Sequence, residues 1–174
     1  MYNNLYKTNE IGEDMKRKIF IICTIVVMVL IFYFSMENSS ESSGRSGGVT
    51  EFILKFIIPD YEEMSFKEKK SLLCHSEYII RKLAHFSIYT MLGFLASLAV
   101  GKRKLLSTGT LFTLGFGFLY ACSDELHQYF VPGRSCQFKD VIIDTFGVIT
   151  GIIISIIIIR IYDVLKNKFS HSPS

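Results

Sequence analysis

Four long apolar blocks constrain this chain more than any other feature: Ile19 to about Met36, Leu83 to about Val100, about Leu105 to Cys122, and Val141 to about Ile159. A soluble core spreads its apolar residues in stripes, one helical face at a time. Unbroken blocks of about 18 residues match instead the thickness of a bilayer's hydrocarbon layer. The 174-residue chain is 49% apolar with a mean hydropathy of +0.34, and its length suits one compact unit rather than two. The predicted fold is all-α: a four-transmembrane-helix bundle over residues 19–160, with tails at 1–18 and 161–174.

The first block follows Lys16-Arg17-Lys18, which resembles the basic start of a signal peptide. The block is longer than a usual signal core, however, and Phe32-Tyr33-Phe34-Ser35-Met36 offers no small-x-small cleavage site. It reads as a retained anchor. Further basic clusters lie at Gly101-Lys102-Arg103-Lys104, between the second and third blocks, and at Arg160, Lys166 and Lys168 after the fourth. Alternating spans put all three clusters on one side, and the positive-inside rule makes that side cytoplasmic. The expected location is the cell membrane, multi-pass, with both termini cytoplasmic. A net charge of only +3 excludes nucleic acid as a natural partner.

Two loops then face outward, Glu37 to Lys82 and Ser123 to Asp140. The run Glu37 to Gly48 is too polar and Gly/Ser-rich to predict a packed element. Phe52 to Ile58, ended by Pro59, predicts a short interfacial helix. Ser65-Phe66-Lys67-Glu68 has capping-box spacing. After it, Leu72, Leu73, Ile79, Ile80 and Leu83 recur at helical intervals, which predicts an amphipathic surface helix in the first outer loop. The cysteines at 23, 74, 122 and 136 form no CxxC pair and no zinc-finger spacing. Cys122 and Cys136 fall at one level, where either a disulfide or free thiols are compatible with the spacing.

Ionisable groups in or at the ends of spans carry the functional information, because lipid penalises them. The second span opens with Arg81, Lys82, His85 and Tyr89; the third closes with Asp124, Glu125, His127 and Gln128, followed by Val131-Pro132-Gly133-Arg134; the fourth opens with Asp140 and Asp144. Residues three or four apart share a helical face, and the topology brings every set to the same outer level. Arg81, Lys82 and Arg134 are the available counter-charges. Lys82, Glu125 and Asp140, taken singly, fit a purely structural knot that fixes helix register. Two histidines with several carboxylates, a glutamine and two arginines exceed what register needs. Imidazole and carboxylate suit a divalent metal, but the spacing matches no metal motif, so no metal site is assigned and no cofactor is specified. No nucleophile elbow or phosphate loop is present. Gly147 and Gly151, with Ser155 a turn on, permit close helix contact inside the bundle, and Gly115 and Gly117 fit the same role.

The order Arg81-Lys82-x-Ala84-His85-Phe86-x-x-Tyr89-x-x-Leu92-Gly93, then Tyr120-Ala121-x-x-Asp124-Glu125-x-His127-Gln128-x-Phe130-x-Pro132-Gly133-Arg134, then Asp140-x-x-x-Asp144-x-x-Gly147-x-x-x-Gly151, resembles the VanZ-like membrane protein family. The likeness extends over about Phe20 to Ile159. It includes a Ser-rich segment after the first span, where Glu37 stands in place of an expected glutamine. The resemblance implies a cell-envelope membrane protein, since the family's namesake is associated with low-level resistance to the lipoglycopeptide teicoplanin.

Together these readings predict a protein that acts at the outer leaflet and lowers susceptibility to glycopeptide or lipoglycopeptide drugs by binding or modifying a lipid-anchored ligand. Expected partners are membrane lipids or such an envelope ligand, with a lipoglycopeptide as a further candidate. His85, Asp124, His127 and Asp144 form the expected reactive set. Arg81, Lys82, Tyr89, Glu125, Gln128, Arg134 and Asp140 form the expected ligand-binding set. One alternative is an intramembrane enzyme working on a lipid headgroup by His/Asp acid–base chemistry; another is a protein whose polar cluster only fixes packing. Transport is disfavoured, because the polar groups do not continue toward the cytoplasmic side.

Overall fold

The computed structural model describes residues 2–101, 105–134 and 136–170. Five helices follow in order: α1 (Tyr2–Ser35), α2 (Ser39–Ile57), α3 (Phe66–Val100), α4 (Thr108–Tyr129) and α5 (Phe138–Ser170), with a short 3₁₀ turn at Tyr61–Glu63. Among the described residues the architecture is all-helical. Three helical stretches are long and apolar enough to cross a membrane: Gly12–Ser35, Phe66–Val100 and Phe138–Lys168. The third expected span coincides with α4, whose 22 residues are long enough but hold no stretch apolar enough to qualify. Its threonines and its Asp124, Glu125, His127 and Gln128 dilute the hydropathy, which leaves the count by composition at three.

Local chemistry explains most boundaries. Pro59 lacks an N–H and biases Ile58 away from helix, so α2 stops at Ile57. The predicted capping box is present: the Ser65 hydroxyl accepts from the Glu68 backbone N–H at 3.4 Å, and the Glu68 carboxylate accepts from the Ser65 N–H at 3.0 Å. The helix it starts does not end at the membrane surface. The amphipathic helix expected to run into span two is continuous with it, as the first half of Phe66–Val100. Leu72, Leu73 and Ile80 are half-buried on it, while Ile79 and Leu83 are exposed. At about 1.5 Å per residue α3 spans roughly 50 Å, well beyond a hydrocarbon layer of about 30 Å.

The Ser-rich segment is corrected. Ser39–Ile57 is helical, although its first half is Gly/Ser-rich. Tertiary packing outweighs propensity: Thr50 and Leu54 are buried on the side of α2 that meets α3, and the Thr50 hydroxyl donates to the Ser46 carbonyl at 2.7 Å.

The core joins Val27 and Ile31 of α1, Tyr89 and Leu92 of α3, Ala121 of α4, and Val141, Val148, Ile152 and Ile156 of α5. The most extensive contact is between α3 and α5. These two helices run parallel, and their paired residues keep a nearly constant offset. Lys82 meets Asp140 and Ser97 meets Ser155, each pair 58 positions apart, while His85 faces Asp144. Small residues make the approach close. A Cβ on Gly151 would strike the Thr90 and Phe94 backbone, one on Gly147 the Phe86 carbonyl, and one on Gly93 the Val148 backbone. The GxxxG step thus packs inside the bundle. Gly117 likewise faces the Val148 side chain, but Gly115 has open space around it and takes no part.

The helices leave two distinct ends. One carries Ser35, α2, the C-terminus of α4 and the N-terminus of α5; we call it the site end. At the other, Lys16 and Arg17 of α1 line a cavity with Gly101, at the close of α3, and with Ile158 and Tyr162 of α5. The basic turn at 102–104 lies outside the described residues.

Gly151→Ala is expected to lower stability by about 1–3 kcal/mol or more, because the new methyl meets backbone that cannot move aside. Gly115→Ala is expected to change stability by no more than about 0.5 kcal/mol. Thermal unfolding of the detergent-solubilised protein measures both, and equal melting temperatures for the two variants would remove the α3–α5 contact from its structural role.

Candidate functional site

The site end gathers polar side chains from four helices and one turn. α3 supplies Arg81, Lys82, His85 and Tyr89 on successive turns of one side, and α5 supplies Asp140 and Asp144 one turn apart. The parallel α3–α5 register sets Lys82 against Asp140 and His85 against Asp144. The first pair forms a salt bridge. In the second, His85 Nδ1 lies 3.7 Å from Asp144 Oδ1, an ion-pair separation too long for a hydrogen bond. Asp144 is fully buried, and neither of its carboxylate oxygens has a hydrogen-bond partner among the described residues.

The last turns of α4 bring Asp124, Glu125 and Gln128 into the same layer, all buried. Asp124 is held from two directions: the Ser35 hydroxyl, at the C-terminus of α1, donates to Oδ1 at 2.5 Å, and the Gln128 amide donates to Oδ2 at 3.1 Å. Ligand atoms of His85, Asp124 and Asp144 all fall within 4.8 Å of one another. The Tyr89 hydroxyl is also buried without a hydrogen-bond partner among the described residues, within electrostatic reach of both aspartates.

The expected reactive set therefore divides. His85, Asp124 and Asp144 come together, while His127 lies apart, its ring packed at a 35° tilt against Phe32 of α1 with centroids 4.7 Å apart. The expected ligand set divides too. Glu125 caps the start of α5, its carboxylate accepting from the Gln137 N–H at 2.9 Å. Gln128 steadies Asp124, and Lys82 is engaged by Asp140. Arg81 and Arg134 alone of the expected cations line a cavity of about 270 Å³.

That cavity lies between α1, α2, α3 and the α4–α5 turn. Ile31, Phe34, Val49, Ile80, Ala84 and Ile88 form apolar walls, and Ser35, Glu37, Ser46, Arg81, His85 and Arg134 supply its polar lining. Arg81 is oriented by Glu77 at 3.3 Å, one turn earlier on α3, and by the Ser46 hydroxyl of α2 at 3.4 Å. Arg134 is delivered by a tight turn, in which its N–H bonds to the Val131 carbonyl at 3.1 Å. Pro132 and Gly133, the latter with φ +77°, are the residues a type II turn requires at its two central positions. The Arg134 guanidinium donates to the Phe34 carbonyl at 3.3 Å. Burial, and then the neighbouring Arg81 charge, push its pKa below the ordinary arginine value.

Ser35, Ser46 and Glu77 were not among the expected site residues. Glu77 has a local signal, an acid four residues before an arginine on one helix. Ser35 ends the first apolar block at the level where Asp124 ends the third. Cys122 and Cys136 are both free thiols, as are Cys23 and Cys74.

No curated protein and no solved structure matches the chain. The VanZ/LLP1 family model matches residues 20–160, a stretch that includes all of α3 and α4, the site-end parts of α1 and α5, and every residue of the site. With three helices able to cross a membrane and this match over most of its length, the chain is a multi-pass membrane protein that belongs to the VanZ/LLP1 family.

Proposed function

We propose that this protein acts at the outer leaflet of the cell membrane, where its cavity binds an anionic amphiphile, a lipid or a lipid-anchored envelope ligand, and that this lowers susceptibility to glycopeptide and lipoglycopeptide antibiotics. One observation carries the reading. Two guanidinium groups, Arg81 and Arg134, face one mostly apolar cavity in which Glu37 is the single lining carboxylate among the described residues, so cationic groups are in excess there. Burial and mutual repulsion disfavour the Arg134 charge, and an anionic headgroup relieves both costs while an acyl chain covers the apolar wall. The antibiotic consequence rests on family membership and on the teicoplanin association of the family's namesake.

The topology belongs to the same proposal. α4 is a span as well, the third of four, both termini are cytoplasmic, and the site end faces outward. Lys16 and Arg17 lie at the opposite end, with Arg160 and Lys166 following on α5, as the positive-inside rule requires. Within the spans α4 hides its polar side chains: Thr110, Thr113, Asp124, Glu125 and Gln128 are buried, while Leu111, Phe112 and Leu119 are exposed toward the lipid.

A second reading has support in one place. His85 lines the cavity and faces the buried Asp144, so the pair is placed to move a proton on a bound headgroup. Under that reading His85→Gln abolishes turnover while ligand binding survives. Under the binding reading it produces only a graded loss of affinity.

Arg81→Ala and Arg134→Ala are each expected to weaken binding of an anionic phospholipid about 10-fold or more, the worth of a charge-assisted hydrogen bond. Native mass spectrometry of the purified protein with phosphatidylglycerol against phosphatidylcholine measures this. In cells, a deletion strain complemented with the double variant should be as sensitive to teicoplanin as the uncomplemented strain. Unchanged phospholipid affinity in both single variants removes the cavity from the proposal.

The native cysteines test the topology. Cys74 and Cys136 are exposed, and both lie toward the site end, so a membrane-impermeant maleimide should label intact wild-type cells. Labelling should disappear in a Cys74→Ser/Cys136→Ser variant, and adding Lys166→Cys to that variant should not restore it until the membrane is broken. Labelling through Lys166→Cys in intact cells reverses the orientation.

A further inference from the structure

We propose that His85, Asp124 and Asp144 form a binding site for one divalent transition-metal ion, zinc or manganese. The proposal stands independently of whether a lipid occupies the neighbouring cavity.

Asp144 is the reason to look. A carboxylate carried into a membrane protein's interior costs several kcal/mol unless another group neutralises or hydrogen-bonds it. Asp144 is fully buried, yet both of its oxygens lack a hydrogen-bond partner among the described residues. Lys82, the nearest lysine on α3, is engaged by Asp140, and the Arg134 guanidinium donates to the Phe34 carbonyl. What Asp144 does face is a second aspartate and an imidazole nitrogen, His85 Nδ1, that itself has no hydrogen-bond partner among the described residues. Two buried carboxylates and one imidazole nitrogen, with ligand atoms within 4.8 Å of one another, can all act as acceptors when the imidazole is neutral with its proton on Nε2, and such a set is completed by a cation.

The geometry suits an ion. His85 Nδ1 and Asp144 Oδ1 are 3.7 Å apart, and ligand atoms sharing a zinc ion at about 2.1 Å lie roughly 3–3.5 Å from one another. The full set, within 4.8 Å, closes around an ion by an inward movement of about an ångström. Asp124 is already steadied, with Ser35 and Gln128 holding one oxygen each. Partners of this kind orient ligands in known metal sites, and each oxygen keeps a lone pair for the ion. One imidazole and two carboxylates suit the borderline ion Zn²⁺ and the harder Mn²⁺. Calcium takes six to eight oxygens, and copper(I) takes sulfur. Three protein ligands leave coordination positions open, and because His85 lines the cavity they open toward the space that Arg81 and Arg134 flank.

Equilibrium dialysis of the purified full-length protein with Zn²⁺ or Mn²⁺ tests the site, using micelles without protein as the background. Wild type should retain close to one ion per chain. Asp144→Asn and His85→Gln should retain none, and His75→Gln, which alters an exposed histidine elsewhere on α3, should match wild type. Ser35→Ala should weaken affinity on the order of 10–100-fold without abolishing binding. Cobalt(II) added to wild type should give visible d–d absorption that Asp144→Asn lacks. Folding is read in parallel: metal should raise the melting temperature of chelator-treated wild type and leave both ligand variants unchanged. No stoichiometric binding by wild type overturns the proposal. So does binding that survives in both ligand variants, or a wild-type melting temperature that metal and chelator leave unmoved.

Discussion

Where α3 and α5 cross, Gly93, Gly147 and Gly151 leave no room for a Cβ, so the two backbones touch. Inside a membrane there is no hydrophobic drive between helices, since lipid tails are as apolar as leucine. Close packing and interhelical hydrogen bonds must hold them instead. The glycines supply the first and the buried Ser97–Ser155 pair the second. Once that contact forms, the register of two parallel helices is fixed, and with it the position of every polar residue on their shared face. Asp144 lies one turn before Gly147, and His85 directly precedes Phe86, whose carbonyl abuts Gly147. The histidine and the aspartate therefore meet as a consequence of backbone packing some 5 Å away, about one helical turn.

The other helices complete the site by different means. α4 joins the bundle through Gly117 against Val148, and through the Tyr120 hydroxyl, which donates to the Met28 carbonyl of α1 at 2.6 Å. Asp124 lies one turn beyond Tyr120, so the same contact that ties α4 to α1 brings Asp124 to Ser35 at the end of α1. In the α4–α5 connection a Pro-Gly turn, closed by the Arg134 N–H on the Val131 carbonyl, brings Arg134 to the Phe34 carbonyl of α1. Each functional side chain is thus one turn, or one tight turn, from a packing contact that immobilises its backbone. Such placement gives precision to a site in which half an ångström matters.

Much of this was legible in the sequence, because lipid imposes strong rules. Apolar blocks, basic clusters and ionisable residues at span ends gave the helices, their order and the layer in which the polar groups assemble. The same rules were silent on partnership. Helix spacing put Lys82, Glu125 and Gln128 beside the arginines as ligand groups, yet the structure gives them Asp140, the Gln137 N–H and Asp124 as partners. That assignment depends on the α3–α5 register and on helix rotation, which no periodicity within a single helix encodes. Propensity misled over residues 39–48, where glycines and serines read as a loop, whereas the helix expected over Phe52 to Ile58 is the second half of α2. A helix with a buried Thr50 and Leu54 against α3 forms there because packing, not composition, decides marginal segments. Ser35 escaped notice for a related reason: one serine after an apolar run has no meaning until the residue across the bundle is known.

The divided polar layer also clarifies what the site end is built to do. If the charged groups served only to fix register, each acid would be matched to a base or a donor, as Lys82 and Asp140 are. Around Asp144 that matching stops. Its neighbours are another acid, an imidazole and a tyrosine hydroxyl. Arg81, bridged to Glu77, and Arg134 line the adjoining cavity together with Glu37, and His85 belongs to both places. Two buried carboxylates beside one imidazole are unfavourable for a protein alone. A cation among those acids would offset that cost, as an anion in the cavity would offset the burial of the Arg134 charge.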